Sequence, residues 1–140
     1  MKRWIVWGTA VVVIFLAGIT WAANTDQENA AVATAGQWLA LLDTGKYADS
    51  WREANEYFRN SIKQDQWNKT VQSVRINLGK LKTRKLKAKL HKTPSPNEPK
   101  GRYLIIQYAS SFQNKKSVTE EVVVMLDKNG RWQVSGYHLM

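Results

Sequence analysis

Charge dense enough to do chemistry is crowded into one stretch of this chain, "LKTRKLKAKLHK", Leu81 to Lys92. Rows of cations can hold phosphates or other anions, because such contacts need charge more than fine geometry. Lys82, Arg84, Lys85, Lys87 and Lys89 are therefore the candidate polyanion-binding residues. Lysines also guard the edge of a sheet against pairing with another chain, and the same row fits that use. A second set is aromatic. Tyr47, Trp51, Tyr108 and Trp132 are candidates to line a small-ligand pocket, although core packing explains their spacing equally well. No nucleic-acid partner is expected, since the lysine row lacks interleaved aromatics that stack on bases.

The remaining groups point away from catalysis. Asp43, before "TGKY", reads as a helix-end turn residue, and Asp49 and Glu53 sit four apart on an exposed helical face. Glu120 and Glu121 fall on opposite faces of a strand and read as cross-strand partners for lysines. No acid is embedded in an apolar run, the setting that raises a carboxyl into the range of a general base. His91 and His138 are not at ligand spacing, so no metal is expected. No glycine-rich phosphate loop or serine elbow is present, so neither a cofactor nor a catalytic residue is assigned.

Periodicity supplies the elements that would hold these residues. Ala31, Ala35, Trp38 and Leu42 repeat as one face of a helix capped by Thr25 or Asp26 and stopped at Gly45. A short helix follows over "KYADSWREAN", with "EYFRNSI" after it. Asp65 reads as the cap of another helix, carrying Trp67, Val71, Val74 and Leu78 and ending at Gly79. Beyond Gly79 the period changes to two, the mark of strands. "LKTRKLKAKL" predicts the first strand, with a bulge near Arg84-Lys85 that turns every apolar residue inward and every cation outward. Pro94, Pro96 and Pro99 make a loop. "RYLIIQYASSF" and "VTEEVVVML" are the next strands, and Asn129-Gly130 turns the chain into "RWQVSGYHLM". The predicted class is α+β, with about three helices packed on a four-stranded antiparallel sheet in one domain over residues 23–140.

The N-terminus reads as an address. Met1-Lys2-Arg3 is followed by an uncharged apolar run from Trp4 to Ile19 and by small residues at Thr20 and Ala22. That is a secretory signal peptide over residues 1–22; the alternative is an uncleaved inner-membrane anchor over residues 4–23. Both readings export the rest, as a periplasmic or secreted protein. With no cysteine, the exported domain must be held by its core. The formal charge is +10, and between Lys80 and Arg102 nine basic residues face Glu98 alone. The excess is a patch, pointing to an anionic lipid or polysaccharide of the envelope.

"WLALLDTGKYADSW", Trp67, Val74-Arg75, "LGKL", "GRYLIIQYASSFQNKKSVTEEV" and "GRWQVSGY" follow in order. Together they resemble the bacterial exported family known as domain of unknown function number four thousand and nineteen. The resemblance implies a cystatin-like, nuclear-transport-factor-two-like fold, with a curved sheet wrapping the first helix and a cone between them. It implies export and no assigned activity. The expected function is a non-catalytic binding or accessory domain of the envelope with an unknown partner or small ligand. The alternatives are polyanion or anionic-membrane binding through Lys80–Lys92, and a cone-pocket enzyme of isomerase or hydrolase type.

Overall fold

The computed structural model describes the backbone of residues 15–140 and side chains from residue 25 onward. The leader expected over residues 1–22 begins outside the described residues. The chain forms α1 (Phe15–Asp43), α2 (Tyr47–Glu53), α3 (Glu56–Ser61) and α4 (Gln64–Leu78), then β1 (Leu81–Lys92), β2 (Arg102–Phe112), β3 (Lys115–Leu126) and β4 (Trp132–Leu139). The strands pair antiparallel in the order β1-β2-β3-β4, a simple meander. Among the described residues no helix is long and apolar enough to cross a membrane.

Helix α1 presents Ala31, Ala35, Trp38, Leu39 and Leu42 to the core, all essentially buried. The two alanines let its backbone lie close to its neighbours, while Trp38 fills the space beyond. On the sheet, Leu104, Ile106 and Tyr108 of β2, Val122 and Val124 of β3, and Val134 of β4 complete the same cluster. Aromatic rings occupy the middle. Trp38 lies with its ring centroid 6.1 Å from Trp67 and 5.5 Å from Tyr137, and Phe58 meets Trp67 edge-on at 5.0 Å. Ser50, fully buried, organises the polar edges of these rings. Trp67 Nε1 donates to its Oγ at 2.9 Å and Trp38 Nε1 to its carbonyl at 2.8 Å.

Several boundaries differ from expectation. Neither Thr25 nor Asp26 caps α1, because the helix is already running from Phe15. Asp65 lies inside the first turn of α4, whose flanking residue is Lys63. The middle segment splits into α2 and α3 because Asn55 restarts the helix. Its side chain accepts from Phe58 N–H at 2.9 Å, and its own N–H donates to the Val134 carbonyl at 2.8 Å. Gly79 ends α4 as expected, at φ 76, and Gly130 turns the last hairpin at φ 77.

The largest correction concerns β1. Its register against β2 shifts twice, between Leu81 and Thr83 and between Leu86 and Ala88, and not at Arg84-Lys85. The second shift turns Leu90 to the face of Ile105, where it is 46% exposed, and Leu86, on the face of Arg84, is 48% exposed at the sheet edge, although the parity argument sent both to the core. Arg84 moves the other way. It pairs with Ser110, which is buried on β2, and its side chain faces the interior.

Candidate functional site

The turn inward of Arg84 completes a buried ionic cluster drawn from four elements. Glu120 on β3 is fully buried at its centre. Its Oε1 accepts from Arg84 Nε at 2.7 Å and from Ser110 Oγ at 2.6 Å, and its Oε2 accepts from the Tyr137 hydroxyl at 2.6 Å. Arg75 on α4 places Nη1 3.8 Å from Oε2 and stacks its guanidinium 5.0 Å above the Phe112 ring. At the end of α1, Asp43 accepts from Arg75 and takes both terminal nitrogens of Arg84, at 2.7 and 3.0 Å. Two arginines thus meet two carboxylates, and each charge has a counter-charge in the interior.

The electrostatics follow from that pairing. Burial raises the Asp43 carboxyl, but hydrogen bonds from Arg84 and Arg75 outweigh burial and hold it below its ordinary value. Burial lowers Arg84, and its bonds to Asp43 and Glu120 more than reverse this. Burial and the adjacent Glu120 carboxylate push the Tyr137 hydroxyl far up, so it stays a proton donor. The Tyr108 hydroxyl and Arg75 Nη1 are buried without a hydrogen-bond partner among the described residues. Chemically the cluster is neutral, with its acids engaged by guanidinium groups. It locks α1, α4 and the sheet together.

The exposed cations of β1 are a separate surface. Lys82, Lys85 and Lys87 are exposed along the edge of the sheet. Lys89 pairs with Glu28 of α1 at 3.2 Å, and Lys92 pairs with Glu98 in the following loop. Of the five residues expected to bind polyanions, Arg84 is withdrawn into the interior and Lys89 has an acidic partner. Lys82, Lys85 and Lys87 remain exposed, with no ion pair among the described residues.

The four aromatic candidates belong to or pack against one hydrophobic cluster. Tyr108 belongs to the buried core, and Tyr47 and Trp51 pack against it from α2. Trp51 also donates Nε1 to the Ile62 carbonyl at 2.8 Å. Trp132 lines a cleft of about 360 Å³ with Gln37, Arg52, Glu53 and Arg131. A more apolar groove of about 340 Å³ runs between α4 and β4, along Trp67, Val71, Val74, Tyr137 and Leu139. Among the described residues no group of three or more His, Cys, Asp or Glu could hold a metal ion. Asp49 pairs with Arg52 on the surface, and His138 is exposed 4.0 Å from Glu121.

Sequence reasoning missed Glu120, Arg75 and the role of Asp43. For Glu120 a signal existed: it shares parity with Val118, Val122 and Val124, which are buried on one face of β3. Arg75 likewise stands on the buried stripe of α4 with Trp67, Val71 and Leu78. Asp43 offered no such signal, because its partners are distant in the chain.

Helices followed by an antiparallel meander, closed by an internal ion cluster, define a small α+β domain with a basic edge. A family model described as "Protein of unknown function (DUF4019)" matches residues 34–137. The chain belongs to that family. No curated protein and no solved structure matches it.

Proposed function

We propose that this chain is an exported, non-catalytic binding domain of the bacterial cell envelope, an accessory module that engages an anionic partner through the edge strand β1. Export rests on the leader-like segment, with its basic start, apolar run and small-residue exit. The helices-first, meander-after order supports placing the fold in the cystatin-like, nuclear-transport-factor-two-like group. A non-catalytic role is supported by the interior, where rings fill the centre and Asp43 and Glu120 are bound to arginines.

The observation that carries the reading is the state of three lysines. Lys82, Lys85 and Lys87 are exposed on an edge strand, and no ion pair among the described residues engages them. Unneutralised ammonium groups in a row raise the local concentration of anions and bind them in a salt-dependent way. The test is sedimentation of the full chain with anionic vesicles and its titration with inorganic polyphosphate, each at rising salt. Binding to at least one should weaken steeply with salt, and K82Q/K85Q/K87Q should reduce it more than tenfold at unchanged thermal stability. Wild-type binding by the triple variant removes the proposal.

A further inference from the structure

The connection from α4 to β1 and the turn from β2 to β3 are stitched together. Gln113 N–H donates to the Lys80 carbonyl at 2.8 Å, and Asn114 N–H to the Leu78 carbonyl at 2.9 Å. Asn114 Nδ2 adds a bond to the Asn77 carbonyl at 3.1 Å. This brings Lys115 and Lys116, the first residues of β3, to the same end of the sheet as Lys80 and Lys82. Leu81 pairs with Phe112, and Phe112 pairs with Lys115. Two strand spacings, about 10 Å, therefore separate the two lysine pairs. All four are exposed, and none enters an ion pair among the described residues. Charge counting along the chain assigned the basic excess to residues 80–102 alone, and folding adds Lys115 and Lys116 to it.

The free charges therefore form a line. It runs from Lys87 through Lys85 to Lys82 and Lys80, about 23 Å of strand, and turns the corner to Lys116 and Lys115. At the opposite end of β1, Lys89 and Lys92 are paired with Glu28 and Glu98. We infer that this line is the track for a linear polymer bearing an anion on each repeat, an inference that rests on the β1 reading above and names its partner class.

Two features favour a polymer over a lipid surface. Leu86 pairs with Tyr108 and Leu90 with Ile105, so the exposed leucines lie on opposite faces and offer a bilayer no single apolar side. The track is also concentrated at the far end of α1 from its entry. Gln27 bonds Arg102 at one end of the sheet and Asp43 bonds Arg84 towards the other, and the helix rises about 24 Å between them. That is about three Debye lengths at physiological salt, so a bilayer holding the apolar N-terminus would not feel the corner lysines.

The test compares the full-length wild type with K115Q/K116Q, with K82Q/K85Q/K87Q, and with K63Q/K69Q, which removes the same charge as K115Q/K116Q from exposed positions at the start of α4 and within it. Probes are inorganic polyphosphate, polygalacturonate and phosphatidylglycerol vesicles, with near-ultraviolet circular dichroism as the fold control. K115Q/K116Q should weaken polymer binding about tenfold and lower its salt slope by roughly 1.5, at 0.7–0.9 per lost contact. K63Q/K69Q should stay within twofold. Binding of polyphosphate alone assigns a phosphate polymer, and equal binding of both polymers assigns charge without regard to the acid. Equal losses from the two double variants, or wild-type binding by K115Q/K116Q while the β1 triple variant fails, overturn the track and leave the β1 reading standing. Binding to vesicles but to neither polymer has the same effect. A wild type that binds no anion removes both.

Discussion

Arg84 and Glu120 are joined by a 2.7 Å hydrogen bond from Nε to Oε1, with the arginine side chain 13% exposed and the glutamate fully buried. Arg84 comes from the densest run of cations in the chain, yet it is withdrawn from their surface. The same strand therefore has two duties. Its lysines meet solvent, while its arginine spans Asp43 on α1 and Glu120 on β3 and clamps helix to sheet. Arginine suits this position because its planar fork can serve two carboxylates at once.

Truncating Glu120 should be among the costliest single changes. Glu120→Ala leaves Arg84 short of one counter-charge in the interior and removes the acceptors of Ser110 and Tyr137. A loss of about 3–5 kcal/mol is expected, the usual cost of breaking a buried pair from one side. Urea denaturation at neutral pH measures it.

Arg84 and Lys85 are neighbours with opposite expected phenotypes. Arg84→Gln should lower the unfolding midpoint strongly and change the salt dependence of anion binding little. Lys85→Gln should leave stability within about 0.5 kcal/mol, as for an ordinary surface substitution, and weaken anion binding. Parallel melting and binding measurements on the two variants check the division.

Asp43 predicts a specific acid limb. Its folded carboxyl is held below the ordinary value by Arg84 and Arg75, against the effect of burial. The stabilisation is thus fully present above the unfolded value of about 4 and is lost as pH falls through the depressed folded value. Asp43→Asn should be less stable at pH 7 and lose less on acidification. Denaturant midpoints between about pH 7 and pH 2 should converge for the two proteins at the acid end.

Much of the fold is legible because period and turn chemistry agree locally. The change from helical to alternating spacing falls at Gly79, where a positive φ is required, and Asn129-Gly130 marks the last hairpin. What escapes is information carried by pairing. Two register shifts, each worth one residue, decide which side of β1 meets the core. They turn Arg84 to the face of buried Ser110 and Leu90 to the face of Ile105, against a parity rule that holds only while the ladder is regular. The ion cluster was half legible: Glu120 and Arg75 stand on apolar stripes, but Asp43 is tied to Arg84 across 41 positions. The corner lysines escaped for the same reason, since only the β2–β3 turn brings them to β1.

Ser50 offers a test of core precision. Its hydroxyl accepts from Trp67 Nε1 at 2.9 Å and donates to the Tyr47 carbonyl at 2.6 Å, in a site with no solvent exposure. Ser50→Ala removes little volume and leaves the indole N–H buried and unpaired. About 1–3 kcal/mol should be lost, visible as a lower denaturant midpoint at an unchanged slope.

Gly79 should resist substitution for two reasons. Its φ is 76, and a Cβ there would stand 2.9 Å from Gln113 Cβ. Gly79→Ala should therefore destabilise the protein by more than about 1 kcal/mol and loosen the β2–β3 turn, read as faster amide exchange at Gln113 and Asn114. Exchange unchanged from wild type would show that the turn is held without it.

The closeness of Trp38 and Trp67, 6.1 Å between ring centroids at a tilt of 35°, gives the molecule an optical property as well as a packing one. Chromophores so near share their excited state, and the resulting dichroic couplet depends on the angle between them. The protein thus carries an internal gauge of its own assembly, readable without any attached dye. Its disappearance should report the first loosening of the interior, before the backbone has begun to unravel.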